Sequence, residues 1–259
     1  MNKQEKINKL KTCIHLAGEQ AQQIRRAGLN IDVKGKSDFV TQADNTVEAF
    51  LQAQLQLLFP EDGFLGEEGG LITGTQGTWV IDPIDGTSNY LQGMDYWCIS
   101  LAYVVQGAIQ LGFIYAPDRD EFFFAEQGQG AWLNEQPLIM ANSISGQEII
   151  GIGHSNRVPL TSYFEVISIL DNHGVDHRRF GAGALMLAHV ASGQVHGYFE
   201  AHLNSWDALA GVLLVQEAGG KVSHFLDHNG LFEGNAIWAS TPNLWPLLEP
   251  LSTQCFLND

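Results

Sequence analysis

The apolar run Thr78-Trp79-Val80-Ile81 passes without a break into Asp82-Pro83-Ile84-Asp85-Gly86-Thr87. The first four residues read as a short buried strand, and the next six deliver two carboxylates to the edge of whatever buries it. Asp82 then stands where the chain leaves a sheet, a common place for ligand sites. Pro83 fixes its own φ, holds Asp82 in extended backbone and removes one donor. One tight turn can aim Asp82 and Asp85 at a common centre. Two such carboxylates repel, and one takes up a proton unless a cation is present. Mg²⁺ prefers oxygen ligands, keeps several waters and commonly bridges to phosphate. Gly86 lets the backbone approach closely, and Gly86-Thr87 is placed to open a helix whose first N–H groups can hold phosphate. The plainer alternative is an Asx turn with two capping aspartates.

Charge narrows the choice of partner. The 259 residues carry 29 acids and 13 bases, a formal net charge of -16. That balance argues against direct nucleic-acid binding and against anionic membranes, both of which need clustered Lys and Arg. An enzyme this acidic acting on an anion needs a metal to reverse the local field. Cys13, Cys98 and Cys255 are odd in number and far apart, so no disulfide framework is implied. The N-terminus lacks a signal-peptide core, and no stretch nears the roughly 20 apolar residues that span a bilayer. The expectation is a soluble cytoplasmic protein.

Periodicity divides the chain. Ile7, Leu10, Ile14, Ala17, Ala21 and Ile24 recur at helical intervals and Gly28 stops them. Residues 31–41 read as a hairpin or exposed loop. Asp44 or Asn45 caps a second helix with Val47, Phe50, Leu51, Leu55 and Leu58 on its apolar face, ended by Pro60 and Gly63. Short runs at 99–105, 108–115, 121–125 and 130–133 predict an antiparallel meander. Beyond a linker at 142–146, strands at 149–153, 178–180, 195–199, 221–225 and 236–240 alternate with helices at 161–172, 184–191 and 206–218. A terminal helix opens at Pro242. The class is α/β (α+β), with an N-terminal α+β subdomain at 1–141 and a C-terminal α/β subdomain at 142–259 meeting at a cleft.

Gly66-Glu67-Glu68, Trp79 to Tyr90, and Trp206-Asp207 through Glu217-Ala218-Gly219-Gly220 occur in an order that resembles the inositol monophosphatase family, within the lithium-sensitive, Mg²⁺-dependent sugar phosphatases. The resemblance runs from the Lys34–Asp44 segment to Gly220. It implies a layered αβαβα sandwich, a homodimer and two or three Mg²⁺ ions per active site. The metal ligands it implies are Glu67, Asp82, the Ile84 carbonyl, Asp85 and Asp207. Asp44 and Thr87 match the pair that activates the attacking water, with Glu67 beside them. Lys34 fits the base of a mobile segment near a third metal, with Lys36 as a rival. Glu200, seven residues before Asp207, matches a hydroxyl-binding glutamate, and Asp85, Gly86, Thr87, Ala182 and Gly183 match substrate contacts. Asp207 and Asp44 can instead be plain helix caps, Glu67 a solvated acid, and Glu200 a surface acid at a strand end.

The implied reaction is hydrolysis of myo-inositol monophosphate, or a similar small phosphate monoester, to the alcohol and inorganic phosphate. Asn89-Tyr90 is similar to the inositol branch. Ala182, Gln92 and Asp95 depart from the common pattern, so fructose 1,6-bisphosphate, histidinol phosphate and adenosine bisphosphate stay open as substrates. A regulatory protein associated with the transcription machinery is the alternative of another class. Gly151-Ile152-Gly153 lacks the rest of a nucleotide loop and reads as a strand-end turn. Histidines 154, 173, 177, 189, 196, 202, 224 and 228 show no metal spacing. Arg178-Arg179 is assigned to an interface or to the cleft edge.

Overall fold

The computed structural model describes residues 2–28, 31–35 and 38–251, with backbone only for 31–35 and 38–41. Lys36 and Cys255 lie outside the described residues, as does the side chain of Lys34. Helix α1 (Lys3–Ala27) opens on a capping box in which Asn2 and Glu5 satisfy each other's backbone N–H, and it ends at Gly28 with φ 101°. A hairpin of β1 (Ile31–Gly35) and β2 (Asp38–Thr41) leads into α2 (Gln42–Leu58). Strands β3 (Gly63–Gly66), β4 (Gly70–Ile72) and β5 (Thr78–Asp85) precede the one-turn helix α3 (Thr87–Leu91). The meander follows as β6 (Cys98–Val105), β7 (Ala108–Ala116), β8 (Glu121–Glu126), β9 (Gly130–Leu133) and β10 (Gln136–Pro137). These strands form an eight-stranded sheet in the order β10-β9-β8-β7-β6-β5-β3-β4, antiparallel except for β3 beside β5.

The second half runs β11 (Ile149–Ile152), α4 (Leu160–Asn172), β12 (Asp176–Arg178), α5 (Gly183–Ala191), β13 (Gly197–Leu203) and α6 (Ser205–Glu217). It closes with β14 (Lys221–Val222), α7 (Gly230–Glu233), β15 (Asn235–Ser240) and α8 (Trp245–Leu248). Its five strands order as β12-β11-β13-β15-β14. The terminal helix starts at Trp245 with Pro246 in its first turn rather than at Pro242. Likewise the strand expected at 178–180 lies at Asp176–Arg178.

Alternation along the strands builds five layers. Trp79, Ile81 and Phe113 face α1 and α2, whose Ile14, Val47 and Leu51 complete that core. The intervening Val80, with Ala102 and Ile114, faces α5 and α6 and, beyond them, Tyr198, Ile237 and Ala239 of the second sheet. That sheet's outer face packs Ile150, Ile152 and Phe199 on Val166, Leu170 and Leu248. The result is the αβαβα sandwich. Helix α6 lies between two sheets, which is why its residues 208–215 are all buried and its apolar pattern has no polar face. Among the described residues no helix is long and apolar enough to cross a membrane.

Candidate active site

Strand β5 does not stop at Ile81 but continues to Asp85 through an irregularity. Asp82 pairs with Ser100 and Asp85 with Cys98, so three steps on β5 face two on β6. In a regular strand, residues three apart point to opposite faces. The extra residue at Pro83-Ile84 is a bulge, a position that tolerates proline, and it restores Asp82 and Asp85 to one side. The turn also realises the Asx alternative at one oxygen: Ile84 N–H donates to Asp82 Oδ1 at 2.9 Å. Gly86 follows with φ 88°, where a Cβ would fall 3.0 Å from Ala182 Cβ and 3.1 Å from the Tyr96 carbonyl. Both backbone sign and space demand glycine there.

Two other segments complete the cluster. The parallel register sets Gly66 beside Ile81, and Glu67 N–H donates to the Ile81 carbonyl at 3.2 Å, so Glu67 lies next to Asp82. Ser100 Oγ donates to the Trp206 carbonyl at 2.8 Å and ties the start of α6 to β6 opposite Asp82. Asp207 is the third residue of α6, and its Oδ2 accepts from Asn204 N–H at 3.2 Å in a capping box. It therefore does serve the cap, and it also faces Asp82. Ligand oxygens of Asp82, Asp85 and Asp207 lie within 4.8 Å of one another.

Asp85 has a second task that its sequence position does not announce. Helix α5 has Ala182 at its N-cap and no capping side chain of its own. Asp85 supplies one from the other sheet: Oδ1 accepts from Gly183 N–H at 3.1 Å, and Oδ2 from Ala184 at 2.8 Å and Leu185 at 3.3 Å. Cys98 Sγ donates to the same Oδ2 at 3.6 Å. The carboxylate thus sits where the helix dipole favours negative charge.

The carboxyls are nonetheless strained electrostatically. Burial, then repulsion by Glu67, Asp207 and Asp85, pushes Asp82 well above the usual carboxylate range. Burial and repulsion by Asp207 push Asp85 up to about 7 against the pull of the three N–H donors. Burial also raises Asp207, whose carboxyl is enclosed although the residue as a whole is half-buried. Oxygen-only donors in a site that holds too much negative charge fit a hard divalent cation such as Mg²⁺.

Asp44 is 1% exposed and is the third residue of α2 rather than its N-cap; burial raises Tyr90 of α3, and the charge of Asp44 adds to that shift. Thr87 Oγ1 donates to the Ile84 carbonyl at 3.1 Å, leaving its lone pairs free to accept. Ala182 is buried against Gly86. Glu200 is 8% exposed, accepts from the Tyr198 hydroxyl and is pushed up to about 8 by burial, with Asp207 and Asp85 adding to the shift. Arg178 is engaged by Asp176 at 2.7 Å, whereas the exposed Arg179 lies near enough to Glu200 for its charge to pull weakly against that shift. Asn89 and Tyr90 have structural work: Asn89 Nδ2 donates to the Tyr96 and Phe180 carbonyls, both at 2.7 Å, and Tyr90 Oη to Ala21. Gly151 lies within β11, and no helix follows until Leu160, so the strand-end reading holds.

Glu48 escaped the sequence reading. It is 3% exposed, and its carboxylate accepts from Glu68 N–H at 3.0 Å and Gly69 N–H at 2.6 Å, holding the turn that carries Glu67. A Cβ at Gly66 or Gly69 would fall 2.5 Å from Glu48 Oε1. One signal was available: an acid at the spacing Val47, Glu48, Leu51, Leu55 lies on the helix face that must be buried.

The sequence profile of the inositol monophosphatase family matches residues 3–251. The chain belongs to that family. It is 39% identical over 210 residues to the Nus factor SuhB of Escherichia coli K12, covering 79% of each chain. It is 38% identical over 227 residues to the inositol-1-monophosphatase of Mesorhizobium japonicum, covering 81% of this chain and 83% of that protein. The crystal structure of extragenic suppressor protein suhB from Bartonella henselae superposes with a TM-score of 0.88 at 32% identity, covering 96% of this chain and 98% of that one. Inositol monophosphatases are in general Mg²⁺-dependent, in keeping with the donor set described above.

Proposed function

We propose that this chain is a Mg²⁺-dependent phosphatase that hydrolyses myo-inositol monophosphate, or a similar small sugar phosphate, to the free alcohol and inorganic phosphate. The convergence of Asp82, Asp85 and Asp207 from β5 and α6 carries the reading, because the three carboxyls are buried together at the junction of both sheets. Glu67 and the Ile84 carbonyl complete the set that would hold the ions. Bound there, Mg²⁺ supplies a water acidic enough to react near neutral pH and offsets the charge of the phosphate. The Thr87 hydroxyl proton is committed to Ile84, so Thr87 can only accept from that water. Asp44, within the family's pattern, takes the proton, and Glu67 holds the water's place. Gly86, Gly183 and Ala182 bound the substrate side, Glu200 accepts from a substrate hydroxyl, and Lys34 matches the base of the family's mobile segment near a third metal. Residues 1–141 and 142–259 are read as subdomains that contribute opposite walls, in a cytoplasmic homodimer inhibited by lithium.

A phosphate-release panel with Mg²⁺ tests this reading. Myo-inositol monophosphate, fructose 1,6-bisphosphate, histidinol phosphate and adenosine bisphosphate are compared, and turnover of the first is expected to lead. No release from any of the four would refute it. The likeness to a protein named Nus factor supports a second role in transcription, compatible with the first. Capture of RNA polymerase by the purified chain tests it, and no retention at low salt counts against it.

A further inference from the structure

We propose that Tyr198 and Gly153 together fix the Glu200 carboxylate as a pre-aligned hydroxyl acceptor, and that this clamp sets a preference for polyol phosphates over phosphate esters with no hydroxyl to offer. The inference rests on the phosphatase reading above. Tyr198 and Glu200 are two apart on β13 and so project from the same face. Both are buried, at 2% and 8% exposure, and the Tyr198 hydroxyl donates to Glu200 Oε2 in a short hydrogen bond.

The opposite side of the carboxylate is closed by backbone. A Cβ at Gly153 would overlap Glu200 Oε2 and fall 2.5 Å from the Tyr198 hydroxyl. Gly153 cannot readily retreat, because its N–H donates to the Phe199 carbonyl at 2.9 Å. Glycine is needed at 153 because the carboxylate occupies the space a side chain would take. The Tyr198 hydroxyl also lies 3.3 Å from the Cβ position of Gly183, whose N–H caps onto Asp85. The clamp thus borders the carboxylate cluster without joining it.

An unrestrained glutamate loses rotamer freedom when it engages a ligand. Here that freedom is already lost in the fold, so a substrate hydroxyl meets a fixed acceptor. Tyr198 uses one acceptor site of the carboxyl, and the group keeps at least one more for a substrate hydroxyl in either protonation state. An ester without a hydroxyl at that position gains nothing from the arrangement.

Steady-state kinetics with Mg²⁺ on wild type, Tyr198→Phe and Gly153→Ala, using myo-inositol monophosphate and phenyl phosphate, read the clamp directly. The kcat/KM ratio of the two substrates is expected to fall about tenfold in either variant, mainly through KM for the inositol ester. A general loss of packing would lower both substrates together. A ratio within about twofold of wild type in both variants, at the tenfold scale of one such hydrogen bond, overturns the proposal. So does a wild type that shows no preference, although the phosphatase reading then stands. If wild type is inert to both esters, the phosphatase reading fails instead. Calorimetric binding of myo-inositol monophosphate to wild type and Tyr198→Phe then decides the clamp, since equal affinities overturn it and a tenfold difference upholds it.

Discussion

Replacing Asp85 by Asn separates the two tasks this residue performs. The carboxylate accepts three N–H groups at the start of α5, at 3.1, 2.8 and 3.3 Å. Asparagine keeps one oxygen and turns an NH₂ toward donors. Loss of a cap and of a negative charge at a helix N-terminus costs about 2–3 kcal/mol together. For a chain of this size that lowers the melting temperature by about 4–12 °C. Without metal, part of the loss is offset, because the neutral amide no longer repels Asp207. Mg²⁺ at about a hundred times its Kd stabilises wild type by about 2.7 kcal/mol. The variant forgoes much of this gain. The gap between the two proteins should therefore widen on adding Mg²⁺, and Mg²⁺-dependent phosphate release should be lost. Melting curves with chelator and with saturating Mg²⁺, beside a phosphate-release assay, measure both effects. A variant whose melting temperature rises with Mg²⁺ as far as wild type's, with wild-type turnover, would refute the reasoning.

Asp85 at about 7 and Glu200 at about 8 both sit above the ordinary carboxylate value of about 4. Groups raised in the folded state contribute their full stability at low pH and lose it as pH rises through the folded value. The metal-free melting temperature should therefore fall as pH rises from about 4 to about 8, and saturating Mg²⁺ should flatten the Asp85 part. A flat profile in chelator contradicts the burial argument. Glu48→Ala removes the acceptor for two part-buried N–H groups and should cost about 1–3 kcal/mol by denaturant melt, with weaker Mg²⁺ binding as the Glu67 turn loosens. Undiminished Mg²⁺ affinity in a folded Glu48→Ala protein would remove Glu48 from the site.

Much of the architecture was legible because it is local. The 3–4 spacing of Ile7 to Ile24 specifies a helix wherever it packs, and the runs between 99 and 133 were bounded by their own turn residues. Three strands with weak local signal were not seen: β3, β4 and β10 are two to four residues long and exist through pairing. Asp82 and Asp85 were likewise marked by sequence, since two carboxylates closing an apolar run require a counter-charge, whereas Glu67, Asp44, Glu200 and Asp207 were named through the family resemblance.

Their geometry was decided elsewhere. Asp82 and Asp85 share a face because β6 pairs across a bulge. Asp85 caps α5 through bonds spanning 98 to 100 residues. Glu48 reaches the Glu67 turn across 20 residues. Gly153 matters because Glu200, on a neighbouring strand, fills its missing side chain. Contacts that join distant segments leave no periodicity to read, so the sequence by itself singled out the acidic residues and the counter-charge they call for. Only the packing of the two sheets around α5 and α6 decided where each oxygen points and what holds it there.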